Sequence, residues 1–351
     1  MLPRSPWVEA LRPLLDREEL TRRVRVQPSP IEGLSSLPFE TASLRVENAL
    51  KAVFYPTDQC LAILTRLVGE AYAHAQVMYP DERTFLSGVY SENVPFPKFA
   101  FPVCLTGYGG VGKTALLKAL RRAVGATLPL TIDGQPKFFI NGAWQLTVRA
   151  QSSSKDILRT ISGSDGSIAS LILTARKIAF RDGVFRLSVD EFQFATGSPN
   201  ANTRLAQILL SLAYIGLPYL FSANFSLIYR LLRRPGEEQE RLLSKPIVLL
   251  PDSCNSEDWC ETLRAQRAVA PEWFIFDPDE NAQMIHSFTA GRKRAIPNAR
   301  TKRPPRFLPA SIQKPIRQHP NTNLSRVVFY LLCPCAAVPF SFSLLTHPTT
   351  D

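Results

Sequence analysis

Apolar and polar positions follow two rhythms along this chain. Five short apolar runs, PVCLTG (102–107), WQLTVRA (144–150), VFRLSVD (184–190), LPYLFSAN (217–224) and KPIVLLP (245–251), have the length and composition of buried strands. Between them lie segments with helical spacing: ALLKALRRAV, SKDILRTI, TRLAQILLSLAYI and SLIYRLLRR. Strands alternating with helices predict an α/β fold, a parallel sheet covered on both faces. Upstream, Thr57 is placed to cap a helix in which Leu61, Leu64, Val68, Ala71 and Ala75 recur at helical intervals until Pro80 stops it. Residues 1–50 are mixed and Pro-rich, an arm with short helices and a candidate partner-binding region. Asn255-Ser256-Glu257-Asp258 opens another helix that reaches Arg267. No internal repeat is present.

Composition narrows the class. The chain has 351 residues, 45% hydrophobic and 20% charged, which excludes a wholly disordered, collagen-like or coiled-coil protein. Its net charge of +11 makes an anionic partner reasonable, but the charge is unevenly placed. Ten basic residues and no acid lie between 291 and 350, so residues 1–290 are close to neutral. That tail also holds nine prolines and lacks helical periodicity, so residues 291–351 are expected to be a disordered basic segment. Three readings of it stay open: a solvated tail, a DNA-contacting arm, and the product of translation out of frame after about residue 288. Translating the neighbouring reading frame tests the third.

Val327 to Leu345 are 19 uncharged, mostly apolar residues, long enough to span a bilayer, but Pro334 and Pro339 each remove a helix hydrogen bond. No membrane association is expected. The six cysteines are scattered without metal-ligand spacing, as reduced thiols in a cytoplasmic protein would be, and the first 20 residues lack the apolar core of a signal peptide.

The chemistry is concentrated at the strand ends. The first strand runs into Gly107-Tyr108-Gly109-Gly110-Val111-Gly112-Lys113-Thr114, a full match to G-x-x-x-x-G-K-[ST], followed by Ala115 and an amphipathic helix. Glycines let such a loop curl so that its N–H groups face phosphate oxygens, and the helix adds its positive N-terminal dipole. Lys113 would reach the β- and γ-phosphates, and Thr114 would ligate Mg²⁺. The third strand ends in Asp190 and Glu191, one carboxylate for the Mg²⁺ shell and one to orient and deprotonate a water. Asn224 ends the next strand, either contacting the γ-phosphate or capping the helix that follows. Arg241, in the helix before the last strand, is either an arginine finger for a neighbouring subunit or part of a solvated basic face.

In this order the residues resemble an AAA+ ATPase. FYPTDQ, YPDERTFLSGVY, LTGYGGVGKT, VDEFQ, SANFSLIYRLLRRP and RLLSKPIVLLPD together resemble the TniB/TnsC-type transposition regulators, over about residues 50–270. The resemblance implies a P-loop NTPase core with a five-stranded parallel sheet between helices at 51–251, and a short or incomplete helical lid at 252–290. It implies ATP and Mg²⁺ as cofactors, and ATP hydrolysis that is weak if the lid is incomplete. It also implies a homo-oligomer assembled on double-stranded DNA through non-specific phosphate contacts, with a transposase and a target-selection protein as partners. By the same match residues 107–115 bind nucleotide, Thr114 and Asp190 hold the metal, and Lys113, Glu191, Asn224 and Arg241 act in catalysis. No sensor 2 arginine is evident. A helicase-loader-like ATPase and a signalling P-loop NTPase acting on protein partners are the alternatives.

Overall fold

The computed structural model describes residues 5–294 apart from 126, 133, 136, 149–151 and 191–200. All of the described helices and strands belong to one unit, Met1–Lys293. Its centre is a five-stranded, all-parallel sheet of β1 (Val103–Gly107), β4 (Ala143–Thr147), β5 (Arg186–Asp190), β6 (Tyr219–Asn224) and β7 (Lys245–Leu249), in the order β4-β5-β6-β1-β7. Each strand overlaps one of the five apolar runs, with bounds that agree to within three residues. β1 and β5 are buried along their whole length, which is why they read as continuous apolar stretches rather than alternating ones. This is the α/β P-loop architecture expected from the motifs.

The helices follow their local signals. α4 (Asp58–Met78) starts where the Thr57 side chain accepts from Cys60 N at 3.4 Å, and it buries Leu61, Leu64, Val68, Ala71 and Ala75. α6 (Lys113–Val124) leaves Gly112 and buries Leu116, Leu117 and Leu120. α7 (Ser154–Ser162) is held by a capping box between Ser153 and Asp156 and ends at Gly163 in the left-handed region. α9 (Ala201–Ala213), α10 (Phe225–Leu231) and α11 (Gly236–Leu243) complete the connections up to β7.

Three features go beyond the expected pattern. α8 (Ile168–Arg181) adds a helix before β5, and β2 (Thr127–Leu130) with β3 (Phe138–Asn141) makes a separate antiparallel pair before β4. After β7 comes the expected helix, α12 (Glu257–Arg267), capped by Ser256, and, as the third addition among the described residues, α13 (Pro278–Thr289), capped by Asp277.

The described part of the first fifty residues, from Ser5 on, packs into the body of the protein. α1 (Pro6–Leu11) and α2 (Arg17–Val24) send Trp7, Leu11, Leu20 and Val24 into the main core, where the Trp7 ring stacks on Tyr79 at 5.1 Å. α3 (Phe39–Ala52) instead packs Ala42, Val46 and Leu50 with Val269, Ala270 and Phe274 beyond α12, in a second, smaller core. α5 (Glu82–Val89) buries Phe85 against Trp7. Residues 291–294 are a turn after α13; the readings of the rest of the tail, and of the apolar run within it, fall outside the described residues.

Candidate functional site

The carboxyl ends of β1, β5 and β6 converge where α6 begins. In a parallel sheet this edge is where ligands collect, because loops leave adjacent strands in opposite directions and open a crevice. Here the break falls between β1 and β6: the chain leaves β1 for β4, at the far edge, and returns to β6 only after β5.

The loop after β1 is shaped by backbone constraints that only glycine meets. A Cβ on Gly107 would lie 2.3 Å from Leu249 O, so no side chain fits between β1 and β7 at that point. Gly112, with φ +114°, turns the chain into α6 from a conformation that disfavours side chains. The helix then opens without a side-chain cap, and its first-turn N–H groups are donors for an anion. Val111 is buried, whereas Tyr108 is 56% exposed and meets Phe225 edge-on at 5.1 Å.

Lys113 is the first residue of α6 and only 8% exposed. Its ammonium donates to Gly107 O and Tyr108 O, both at 2.9 Å, and to Asn224 Oδ1 at 2.8 Å. All three acceptors are neutral. Burial lowers the Lys113 pKa, and the charge of Asp190 offsets part of that effect. A buried cation held by neutral oxygens above a glycine cradle suits a polyanion such as a nucleoside triphosphate.

Asp190 ends β5 and is 5% exposed, and its Oδ1 accepts from the Ser222 hydroxyl. Thr114 is exposed in the first turn of α6. Among the described residues no three His, Cys, Asp or Glu side chains cluster as a metal cage. One hydroxyl and one buried carboxylate fit Mg²⁺, which keeps several waters and takes its other ligands from phosphate. Glu191 lies outside the described residues.

Asn224 occupies the N-cap position of α10, yet its side chain makes no cap bond there. Its bond goes to Lys113, so the last residue of β6 touches the lysine that follows the glycine loop. Arg241 sits apart from this group: exposed on α11, it places its guanidinium 5.8 Å from the Phe99 ring centroid, with Nη1 3.5 Å from Tyr214 Oη.

Lys293 is a further cation that sequence reasoning assigned to the tail. It pairs with Asp252, just past β7, at 2.8 Å, and its Cδ lies 3.9 Å from where a Cβ on Gly112 would stand. His286 of α13 steadies the same corner through a 2.8 Å hydrogen bond between Nε2 and Asp252 O. No local motif marks Lys293, because the return of the chain after α13 brings it to the loop. Ser222 was likewise unmarked.

No protein-family model matches the chain, and no curated protein matches it. Among solved structures, the Aeropyrum pernix ORC1 protein in complex with DNA is 15% identical with a TM-score of 0.43, covering 74% of this chain and 62% of that one. PCH-2 of C. elegans is 15% identical at 0.37, covering 70% and 63%. Drosophila ORC bound to DNA is 13% identical at 0.33, covering 66% and 61%. This chain thus spans about three fifths of the length of each. Likeness at this level assigns no activity; the functional reading rests on the geometry of the strand ends. Among the described residues no helix is long and apolar enough to cross a membrane.

Proposed function

We propose that this protein is a Mg²⁺-dependent AAA+ ATPase that assembles as a homo-oligomer on double-stranded DNA and regulates transposition by recruiting or activating a transposase. The observation that carries the ATP part is Lys113, buried over the glycine loop, bonded to Asn224 and electrostatically coupled to Asp190. In this reading residues 107–115 hold the phosphates, and Thr114 and Asp190 bind the cation. Lys113 and Asn224 meet the γ-phosphate, Glu191 prepares the water, and Lys293 adds a positive charge from beyond α13. Mg²⁺ held by Thr114 and Asp190 would supply neutralisation of the phosphate charge.

The oligomer part is supported by Arg241. It is exposed beside Phe99 and Tyr214, and the Phe99 ring in turn meets Phe101; with Phe101 and Tyr214 50% and 41% exposed, this is an aromatic and cationic surface suited to cover by a second copy. Arg241 would then reach a neighbour's γ-phosphate. The transposition part rests on the sequence resemblance over residues 50–270, with a target-selection protein as the second partner. DNA contact in this reading is to phosphate, so it tolerates any sequence and weakens with salt.

The test is binding to random-sequence duplex DNA with and without ATP and Mg²⁺, comparing the wild type with Lys113→Ala and Glu191→Gln. Nucleotide-dependent, salt-sensitive binding that Lys113→Ala abolishes is the expected result. Binding that ignores nucleotide and both substitutions refutes the mechanism. Capture of a replicative helicase in place of a transposase would move the protein to helicase loading, and no DNA binding at low salt would move it to signalling through protein partners.

A further inference from the structure

Strand β6 carries two polar side chains toward the site, and only Asn224 has been given a task. The other is Ser222. β6 runs parallel to β5 with Val189 opposite Phe221, which brings Asp190 level with Ser222. Both are buried, at 5% and 2% exposure, and the Ser222 hydroxyl donates to Asp190 Oδ1. Ser222 and Asn224 are two residues apart on one strand and therefore share a face. From that face Asn224 accepts from Lys113 at 2.8 Å.

A hydroxyl here needs a reason. The neighbouring strand residues Leu220, Phe221 and Ala223 are fully buried and apolar, and an unpaired hydroxyl among them would be costly. The Asp190 carboxylate satisfies it, and the bond acts in both directions. A carboxylate whose one oxygen accepts a fixed donor loses its freedom to rotate, so its second oxygen keeps one direction.

We infer that Ser222 is a positioning residue: by holding Asp190 Oδ1 it fixes the direction in which that carboxylate meets the cation. With Asn224 on Lys113, β6 sets the spacing between the phosphate-binding lysine and the metal-binding acid. The inference rests on the Mg²⁺ and ATP reading of this site, and it concerns a residue to which no motif assigns a role.

The experiment titrates a fluorescent ATP analogue into wild type, Ser222→Ala, Ser222→Thr and Asp190→Asn, first in EDTA and then at rising Mg²⁺. Loss of a partner that orients a metal ligand typically costs about 10- to 100-fold in metal affinity. Ser222→Ala is expected to raise the half-maximal Mg²⁺ concentration about tenfold and to leave affinity in EDTA within about twofold. Asp190→Asn should lose the Mg²⁺ response, and Ser222→Thr, which keeps the hydroxyl, should recover most of the wild-type midpoint. A Ser222→Ala midpoint equal to wild type, beside an Asp190→Asn variant that has lost its response, overturns the inference and leaves the ATP reading standing. A wild type that binds no nucleotide, or whose binding ignores Mg²⁺, overturns both. Should Ser222→Ala fail to fold by circular dichroism, Ser222→Cys, which fills similar space with a weak donor, is judged by the same midpoint.

Discussion

Replacing Lys113 by alanine separates the nucleotide reading from a merely structural one. The ammonium has three donors, aimed at Gly107 O, Tyr108 O and Asn224 Oδ1. In the nucleotide reading at least one of them transfers to phosphate, and a charged hydrogen bond of that kind contributes about 1.5–3 kcal/mol. At about 1.4 kcal/mol per factor of ten, Lys113→Ala should weaken ATP binding by roughly 10- to 150-fold. In that reading the lysine faces the β- and γ-phosphates, so ATP should lose more than ADP, and AMP should lose little. The fold faces two opposed effects. The three acceptors lose their donor, at about 1–3 kcal/mol for each that stays dry, while a desolvated charge disappears. Isothermal titration calorimetry with ATP, ADP and AMP in Mg²⁺, paired with a thermal melt of each sample, measures both sides. A variant that melts as a folded protein and binds ATP within about twofold of wild type would refute the assignment of the loop as a phosphate cradle.

The same geometry makes Lys293 testable. Lys293→Ala removes a cation beside Gly112 and should weaken ATP binding by roughly fivefold, the effect of about 1 kcal/mol, and an unchanged Kd in the same titration would place Lys293 outside the site. His74 predicts a pH effect on stability. Burial, reinforced by the charge of Arg186, lowers its pKa from 6.5 to about 4, and its Nε2 has no hydrogen-bond partner among the described residues. Between those two values the unfolded chain binds more protons at this residue than the folded one, so stability falls as pH drops through the window. At about 1.4 kcal/mol per pKa unit the loss is on the order of 2–3 kcal/mol by pH 4. Urea melts from pH 7 to pH 4 should show this slope in wild type and a flatter one in His74→Phe; equal slopes would sink the assignment.

What could be read from the sequence was local. β1, β5 and β6 were legible because a strand buried on both faces must be apolar throughout, the edge strands β4 and β7 only as short apolar runs, and LTGYGGVGKT was legible because a loop of this shape needs glycine at fixed places. Thr57, Ser256 and the spacing from Leu61 to Ala75 marked α4 and α12 by capping and periodicity alone. α8 was readable in principle, since Leu171, Ala175 and Ala179 recur every four residues, but the SGSDGS stretch before it reads as loop. β2 and β3 are each four residues long, and Pro129 interrupts the first, too short a pattern to declare a strand.

Tertiary structure decided the rest, because strand order and contacts between distant residues leave no periodic trace. Nothing in the run LPYLFSAN says that it lies between β1 and β5, yet that placement puts Asn224 on Lys113 and Ser222 on Asp190. Trp7 in the main core and Val46 against Phe274 are likewise consequences of long-range packing, in which a residue's partner is set by the path of the chain. Lys293 shows the same division: composition grouped it with the basic tail, while the turn after α13 set it against Gly112 of the glycine loop. Local chemistry specified which polar and charged groups stand at the strand ends, and the fold alone determined how they hold one another in place.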